Sequence, residues 1–234
     1  MTIELFEPIA AVYDFLNHLF SLGVDRRWRR LLARRAGLRA DAEILDACTG
    51  TADVAIEFCR LLPSCRITAV DLSPRMLLEA RRKVARHNLE RRVTLLLADA
   101  QKLPFPDGSF DCASIAFGLR NLADRARGIA ELARVLKPGG RLAILEFFPP
   151  GATLFGRLYR LYLGRVMPWL GGLLSGSRPT YRYLYESVIS FAAPEEVERM
   201  LEAAGLRSLP PERLSGGIAF LLQGLKEICL DIGA

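Results

Sequence analysis

Between residues 43 and 146, short apolar runs alternate with longer stretches in which apolar residues recur at helical spacing. The apolar runs predict strands at 43–46, 66–70, 93–97, 110–115 and 141–146. Helices are predicted at 53–62, after Ser73-Pro74, and where Ile129, Leu132, Ala133 and Leu136 would share one face. We expect this last helix to stop at residues 137–140, Lys-Pro-Gly-Gly, because proline cannot continue it. Strands alternating with helices lie parallel, so the pattern predicts a doubly wound α/β sheet.

The segments flanking this core, residues 41–148, follow other patterns. Helices predicted near 7–20 and 25–36 make residues 1–40 an N-terminal helical cap. An apolar, arginine-dotted stretch at 151–178 breaks the alternation, and we interpret residues 151–190 as an insertion over the ligand site. A helix at 194–204 and strands near 206–211 and 217–225 complete a mostly parallel, seven-stranded sheet. No repeat or linker divides the 234 residues, so we expect one domain.

Composition and charge limit the cellular setting. The five cysteines are odd in number and form no metal-binding spacing, which indicates reduced thiols in a cytoplasmic protein without a structural metal. No uncharged run approaches the roughly 20 residues that cross a bilayer, and no secretory signal is visible. The net charge is +6, and six arginines lie within residues 26–35. This cluster is compatible with anionic lipid, with nucleic acid or with simple solubility; a solvated helix face is the favoured interpretation.

Acidic residues follow three successive predicted strands: Asp46, Asp71 and Asp99. The carboxyl ends of parallel strands meet at one edge of the sheet, where ligands bind. Asp71 could accept hydrogen bonds from ribose hydroxyls, and Asp99 from an adenine amine; the plain alternatives are a helix cap and a loop aspartate bonded to its own backbone. The turn after the first strand has only one glycine, Gly50, instead of the three of a dinucleotide site. The pattern predicts a nucleoside pocket without a pyrophosphate cradle.

Three motifs carry a resemblance to a known family. They are Phe-Pro-Asp-Gly-Ser-Phe-Asp at 105–111, Ala-Phe-Gly-Leu-Arg-Asn at 116–121, and Arg-Val-Leu-Lys-Pro-Gly-Gly at 134–140. With an amino-terminal block that includes Tyr13 and Asp14, they resemble the quinone C-methyltransferases of menaquinone and ubiquinone biosynthesis, within the class I S-adenosylmethionine (SAM) methyltransferases. The resemblance spans residues 5–226 and implies a Rossmann-like methyltransferase fold.

The resemblance also implies SAM as cofactor. Its contacts would be at Gly50, Thr51, Asp71, Leu72, Asp99, Ala100 and Ala116, with Tyr13 nearby. Two positions depart from the family. Ala52 replaces a usual glycine, so the turn must keep φ negative or accept strain. Ala116 replaces a frequent serine, so that position offers only its backbone unless Ser114 substitutes.

The implied substrate is a polyprenylated quinol that attacks the sulfonium methyl through a ring carbon. A phenol titrates near 10, so about one part in a thousand is ionised at neutral pH, and lowering its pKa by about two takes roughly 2.7 kcal/mol. Arg120, a cation just beyond the fourth strand, is the candidate to supply this, with Asn121 as a further donor. The plain alternative for Arg120 is a surface pair with Asp124. Water, Tyr13, Asp14 or Glu146 could remove the ring proton.

The insertion carries an apolar arc opposite three arginines, Arg157, Arg160 and Arg165. The arc consists of Leu154, Leu158, Leu161, Tyr162, Val166, Met167 and Trp169. Such a segment could be a lid, a wall for a prenyl tail, a peripheral anchor at the inner face of the cell membrane, or a homodimer contact.

Competing functions fit the sequence less well. A nicotinamide oxidoreductase would need the missing glycines, and no motif of a nucleic-acid methyltransferase is present, so nucleic acid is not expected as a partner. Whether the ring is a naphthoquinol or a benzoquinol stays open. A methyltransferase for another lipophilic molecule and a non-catalytic prenyl-lipid carrier are the alternatives.

Overall fold

The structure is a computed structural model that describes residues 21–228, except 22, 152, 168 and 170–177. The helix predicted near 7–20 lies outside the described residues. So do Tyr13 and Asp14.

Within the described part of the chain, seven strands form one sheet in the order β3-β2-β1-β4-β5-β7-β6. They are β1 (Glu43–Ala47), β2 (Arg66–Asp71), β3 (Val93–Leu97), β4 (Phe110–Ala116), β5 (Leu136–Phe147), β6 (Leu206–Leu214) and β7 (Ala219–Lys226). Strands β1 to β5 pair in parallel, and β7 is antiparallel to both β5 and β6. The predicted doubly wound, mostly parallel sheet is confirmed.

Helices cover both faces of this sheet. They are α1 (Val24–Arg35), α2 (Asp53–Leu61), α3 (Pro74–Arg86), α4 (Arg125–Arg134), α5 (Leu154–Leu161), α6 (Arg178–Ile189) and α7 (Pro194–Ala203). One buried cluster joins α1 and α2 to the sheet through Trp28, Leu32 and Phe58. A second, which includes Ile129, Leu132 and Leu201, packs α4 and α7 against the sheet. Because both faces are covered, the central strands β1 and β4 are apolar almost throughout.

Two predicted boundaries are wrong. Helix α4 ends at Arg134, and Leu136 belongs to β5, where it pairs with Phe110. Residues 137–140 then bulge out of register, with Gly139 at φ 78°. On the edge strand, β6 continues past the predicted end at 211 to Leu214, because a second register shift lies between Leu209 and Glu212. A bulge lets an edge strand absorb the intervening prolines.

The insertion forms helix α5, a single π-helical turn at Tyr162–Val166, and helix α6. A small buried cluster of Leu163, Met167 and Val188 packs beside Phe147, at the end of β5. Met167, predicted on the apolar arc, is buried just after the π-helical turn, whereas Leu154, Leu158, Leu161, Val166 and Trp169 of the same arc are exposed. No helix among the described residues is long and apolar enough to cross a membrane.

Candidate cofactor and substrate site

The site lies where β1 and β4, adjacent in the sheet, send their following loops to opposite sides. Both loops begin with strained backbone: Cys48 follows β1 with φ 51°, and Phe117 follows β4 with φ 59°. The loops also touch, since a Cβ built on Gly118 would lie 2.5 Å from the Cβ of Cys48. Residue 118 must therefore be glycine for the two loops to approach this closely.

An open cleft of about 760 Å³ lies between these loops and the ends of β2 and β3. It is lined by Cys48, Gly50, Asp71, Leu72, Ser73, Met76, Ala98, Ala100, Ala116, Phe117, Gly118, Asn121 and Leu122. Six residues predicted to bind cofactor or substrate are therefore brought together here. Most of the wall is apolar, and a Cβ on Gly50 would meet no atom within 4 Å, so the backbone of this turn faces open space. These features suit the flat apolar faces of an adenosine.

Asp71 is the carboxylate of the cleft. Its Oδ2 accepts a hydrogen bond from the Gly50 N–H (2.8 Å) and its Oδ1 accepts one from the Ser73 N–H (2.9 Å). Ser73, not Asp71, caps helix α3, so the helix-cap alternative is wrong. Burial raises the pKa of Asp71, and the backbone N–H groups oppose this. The carboxylate is thus held at the cleft wall with lone pairs left for a ligand.

Asp99 makes local hydrogen bonds, as expected for a loop aspartate. Its Oδ1 accepts hydrogen bonds from the N–H (2.8 Å) and the side-chain amide (3.2 Å) of Gln101. Its neighbours Ala98 and Ala100 line the cleft, whereas the side chain of Asp99 does not. The predicted contact with adenine stays a prediction.

A second, more polar pocket of about 370 Å³ opens on the other side of the Cys48–Gly50 turn and shares four lining residues with the cleft. Its charged lining residues are Arg29, Asp46 and Asp53, and the predicted cofactor residue Thr51 lies here as well. Sequence reasoning placed Asp46 at the right edge but did not foresee the contribution of Arg29. The basic cluster at 26–35 had been interpreted as a solvated face, yet Arg29 is buried, with an ion pair to Asp25 and its Nε 3.9 Å from Asp53.

Asp46 is buried at the end of β1. It accepts hydrogen bonds from the hydroxyls of Thr49 (2.6 Å) and Ser114 (2.7 Å). Burial raises its pKa to about 6, with the hydroxyls partly offsetting the cost of removing the charge from water. Ser114 is fully buried against Asp46, so it does not substitute for the absent serine at the cleft.

The two joined pockets fit the two ends of SAM. The apolar cleft with Asp71 can take the adenosine, and the polar pocket can take the amino-acid end. There Asp46 offers an acceptor for the ammonium group, while Arg29 and Thr51 lie on the same wall.

Of the two alternatives for Ala52, a negative φ or strain, the structure has the strained one, with φ 68° just before α2. Its methyl group packs into the core below the turn, and the residue lines neither pocket. The missing glycine therefore costs backbone strain, of the order of 1 kcal/mol, without filling cofactor space.

Arg120 lies in a short 3₁₀ turn after β4, and its partner is Glu146 at the end of β5. Its Nη1 is 2.6 Å from Glu146 Oε1 and donates a further hydrogen bond to the Phe117 carbonyl (2.7 Å). Asp124 instead caps helix α4, so the surface pair with Asp124 is wrong. Among the described side chains, Arg120 Nε is one of few buried nitrogens without a hydrogen-bond partner. Glu146 is an unsuitable base, because both its oxygens accept hydrogen bonds from Arg120 or from backbone N–H groups.

Asn121, one residue on, lines the cleft and contacts the insertion. Its Oδ1 accepts a hydrogen bond from the Tyr183 hydroxyl of helix α6 at 3.1 Å. The sequence assigned Tyr183 no role in the site; its signals were its place in an insertion expected to cover the site and its match, with Leu184 and Ser187, to the family. Burial and the nearby Asp71 raise the pKa of Cys48, which disfavours the nucleophilic thiolate form of this cleft residue.

The fold, with its joined apolar and polar pockets at the β1/β4 switch point, is that of a class I SAM-dependent methyltransferase. Among solved structures, a SAM-dependent methyltransferase from Aquifex aeolicus superposes with a TM-score of 0.62 over 85% of this chain and 89% of its own, at 22% identity. Residues 2–226 match the ubiE/COQ5 methyltransferase family, and the chain belongs to that family.

Curated relatives extend over nearly the whole chain. A protein of Thermus thermophilus named demethylmenaquinone methyltransferase is 49% identical over 94% of this chain and 99% of its own length. A protein of Geobacter sulfurreducens named ubiquinone/menaquinone biosynthesis C-methyltransferase is 44% identical over 95% of this chain and 87% of its own. The chain is therefore similar to enzymes named for both kinds of quinone.

Proposed function

We propose that this enzyme methylates a ring carbon of a polyprenylated quinol, with demethylmenaquinol as its substrate. The observation that carries the proposal is the full-length similarity to the Thermus thermophilus relative, whose name gives that substrate class. The Geobacter sulfurreducens relative is named for both quinones, so a benzoquinol is the second substrate to test.

SAM supplies an electrophilic methyl group on a sulfonium; the chain supplies the means to hold it and to activate the quinol. We assign Asp71 to the ribose hydroxyls, the backbone around Ala100 to the adenine, and Asp46 with Arg29 to the amino-acid end. Leu72, Ala116 and Gly50 form the apolar wall and the turn that allow this approach.

The quinol oxygen needs stabilisation as its proton is lost. Asn121 lines the cleft and contacts the insertion through Tyr183, whereas its neighbour Arg120 is buried beside the cleft. The charge of Arg120 is balanced by Glu146, so a free cation is not what the site offers. The support for an oxyanion comes instead from fixed N–H donors, which act strongly where water is excluded.

The exposed side chains of the insertion support the proposal that the enzyme binds at the membrane surface. Leu154, Leu158 and Trp169 are 75%, 58% and 58% exposed, unusual for large apolar side chains. Arg157, Arg160 and Arg165 line an adjoining groove. An exposed apolar stripe beside arginines is typical of a segment that lies in the interface of an anionic bilayer, from which a polyprenylated substrate would come.

The test uses the purified enzyme with methyl-labelled SAM and, separately, demethylmenaquinol and a demethylated ubiquinol precursor. We expect label on a ring carbon of the naphthoquinol, identified by product mass. Methylation of the benzoquinol alone would overturn the substrate assignment. Absence of product with both, with prenyl-lipid binding retained, would favour a carrier.

A further inference from the structure

The hydrogen bond between Tyr183 and Asn121 joins the insertion to the rim of the cofactor cleft. Tyr183 lies on α6 and Asn121 in the turn after β4, 62 positions apart in the chain. The tyrosine is half-buried and Asn121 lines the cleft. A side chain of the insertion therefore acts on a group that faces the ligand.

The contacts of the Asn121 amide determine its orientation. Its Oδ1 accepts from the Tyr183 hydroxyl at 3.1 Å, and its Nδ2 donates to the Phe117 carbonyl at 3.4 Å. The reversed amide would set its oxygen against the Phe117 carbonyl, two acceptors facing each other. The bond to Phe117 is long, so by itself it orients the amide weakly. The Phe117 carbonyl, which can only accept, therefore sets which end of the amide is the donor, and the shorter bond from the Tyr183 hydroxyl holds the amide in that orientation.

We propose that Tyr183 is a positioning residue for methyl transfer. Its hydroxyl holds Asn121 so that the second Nδ2 hydrogen is presented to the quinol oxygen on which negative charge develops. This inference rests on the proposed function, since the oxygen in question is that of a quinol. A donor fixed in advance stabilises the charge without reorganisation during the reaction, so the effect belongs to kcat.

Tyr183 also links the orientation of Asn121 to the position of helix α6. Helix α6 contacts the site through this hydroxyl, whereas its neighbour Tyr185 packs its ring against Gly164 within the insertion. The hydrogen bond that holds the Asn121 amide in place is therefore made only while α6 is seated on the turn after β4. Substrate entering beneath the insertion would meet the oriented donor once that contact is made.

The decisive variant is Tyr183→Phe, which keeps the ring and removes the hydroxyl, with Tyr185→Phe as the matched control on the same helix. We expect kcat for quinol methylation to fall about tenfold in Tyr183→Phe, with the quinol KM, the SAM Kd and the melting temperature close to wild type. We expect Tyr185→Phe to stay within twofold of wild type. In an Asn121→Ala background, Tyr183→Phe should cause no further loss, because the group it positions is gone.

Three results would overturn the inference. A wild-type kcat in Tyr183→Phe would exclude the role, as would an equal fall in both tyrosine variants. A full tenfold loss on top of Asn121→Ala would show that Tyr183 acts independently of the amide. If the wild-type enzyme methylates neither quinol, the proposed function fails and this inference falls with it. If the wild-type enzyme methylates a quinol and Tyr183→Phe has the same kcat, only this inference fails.

Discussion

The guanidinium of Arg120 and the carboxylate of Glu146 form a buried ion pair, 2.6 Å from Nη1 to Oε1, with side chains that are 2% and 0% exposed. The pair bridges the ends of β4 and β5, and Glu146 also accepts from the backbone N–H groups of Arg120 and Phe147. Because the two charges cancel, the pair fixes the shape of the cleft rim as much as it places a cation there. Arg120 can serve the chemistry only through the donors that Glu146 leaves available.

Removing one partner should reveal this dependence. In Glu146→Leu, Arg120 would be left as a buried, unpaired charge, and we expect a loss of about 3–5 kcal/mol of unfolding free energy, measured by urea denaturation. Arg120→Met combined with Glu146→Leu should recover most of that stability, because an apolar pair of similar volume replaces the ions.

The double variant also separates structure from chemistry. If Arg120 contributes donors to the quinol oxygen, the stable double variant should lose methylation by at least a hundredfold while binding SAM normally. Wild-type turnover in the double variant would assign Arg120 a purely structural role.

This pair also illustrates what the sequence could predict. Strand ends were predictable because apolar runs alternate with helical patterns, and that placed Asp46, Asp71 and Arg120 at one edge of the sheet. The partner of Arg120 was not predictable, because the pairing of β4 with β5 depends on the bulge at residues 137–140. The burial of Arg29 escaped prediction for a similar reason: it follows from the packing of α1 against α2, which no local pattern encodes.

Asp71 provides a direct test of the cofactor assignment. We expect Asp71→Asn to weaken SAM binding at least tenfold in calorimetry, since an amide offers only one acceptor oxygen to two ribose hydroxyls and the Gly50 N–H. Asp107→Asn is the matched control, because Asp107 is exposed at the surface and pairs with Arg134. Equal affinity in the two variants would remove Asp71 from the cofactor site.

Asp46 should make stability depend on pH in an unusual direction. Its pKa of about 6 lies above the ordinary value of 3.8, so the folded chain holds this proton more tightly than the unfolded chain. The contribution of Asp46 to the free energy of unfolding is complete at low pH and is lost as the pH rises from about 4 to about 6. The difference between the folded and unfolded pKa values of Asp46 corresponds to at most about 3 kcal/mol of unfolding free energy.

Asp46→Asn removes this titration. We expect the variant to be as stable as wild type near pH 4 and more stable at pH 7.5, by up to about 3 kcal/mol in urea denaturation. It should bind SAM more weakly, because the ammonium group loses its charged acceptor. A stability difference between Asp46→Asn and wild type that stays constant from pH 4 to pH 7.5 would contradict the assignment.

The contact between Gly118 and Cys48 predicts a compensating pair. Gly118→Ala would place a methyl group 2.5 Å from the Cβ of Cys48, and we expect a loss of about 1–3 kcal/mol together with weaker SAM binding. Adding Cys48→Gly removes the clashing atom at a residue whose φ of 51° suits glycine, so the double variant should recover at least half of the loss. In Gly151→Ala, where the new atom meets nothing within 4 Å, stability should change by less than about 0.5 kcal/mol. Independent, additive effects of the two substitutions would refute the close approach.

The exposed leucines of α5 predict how the enzyme meets a membrane. Leu154 and Leu158 lie one helical turn apart, so both can enter the interface of a bilayer while the neighbouring arginines contact anionic headgroups. Each buried leucine contributes about 1.5–3 kcal/mol. We therefore expect Leu154→Ser with Leu158→Ser to lower partitioning onto vesicles of phosphatidylglycerol and phosphatidylcholine by at least a hundredfold.

Wild-type binding should weaken with added salt or with phosphatidylcholine alone. Leu78→Ser, at an exposed leucine of α3, should have no effect. If the wild-type chain instead sediments as a dimer that the double serine variant dissociates, without binding vesicles, a second copy covers this face and the membrane assignment is wrong.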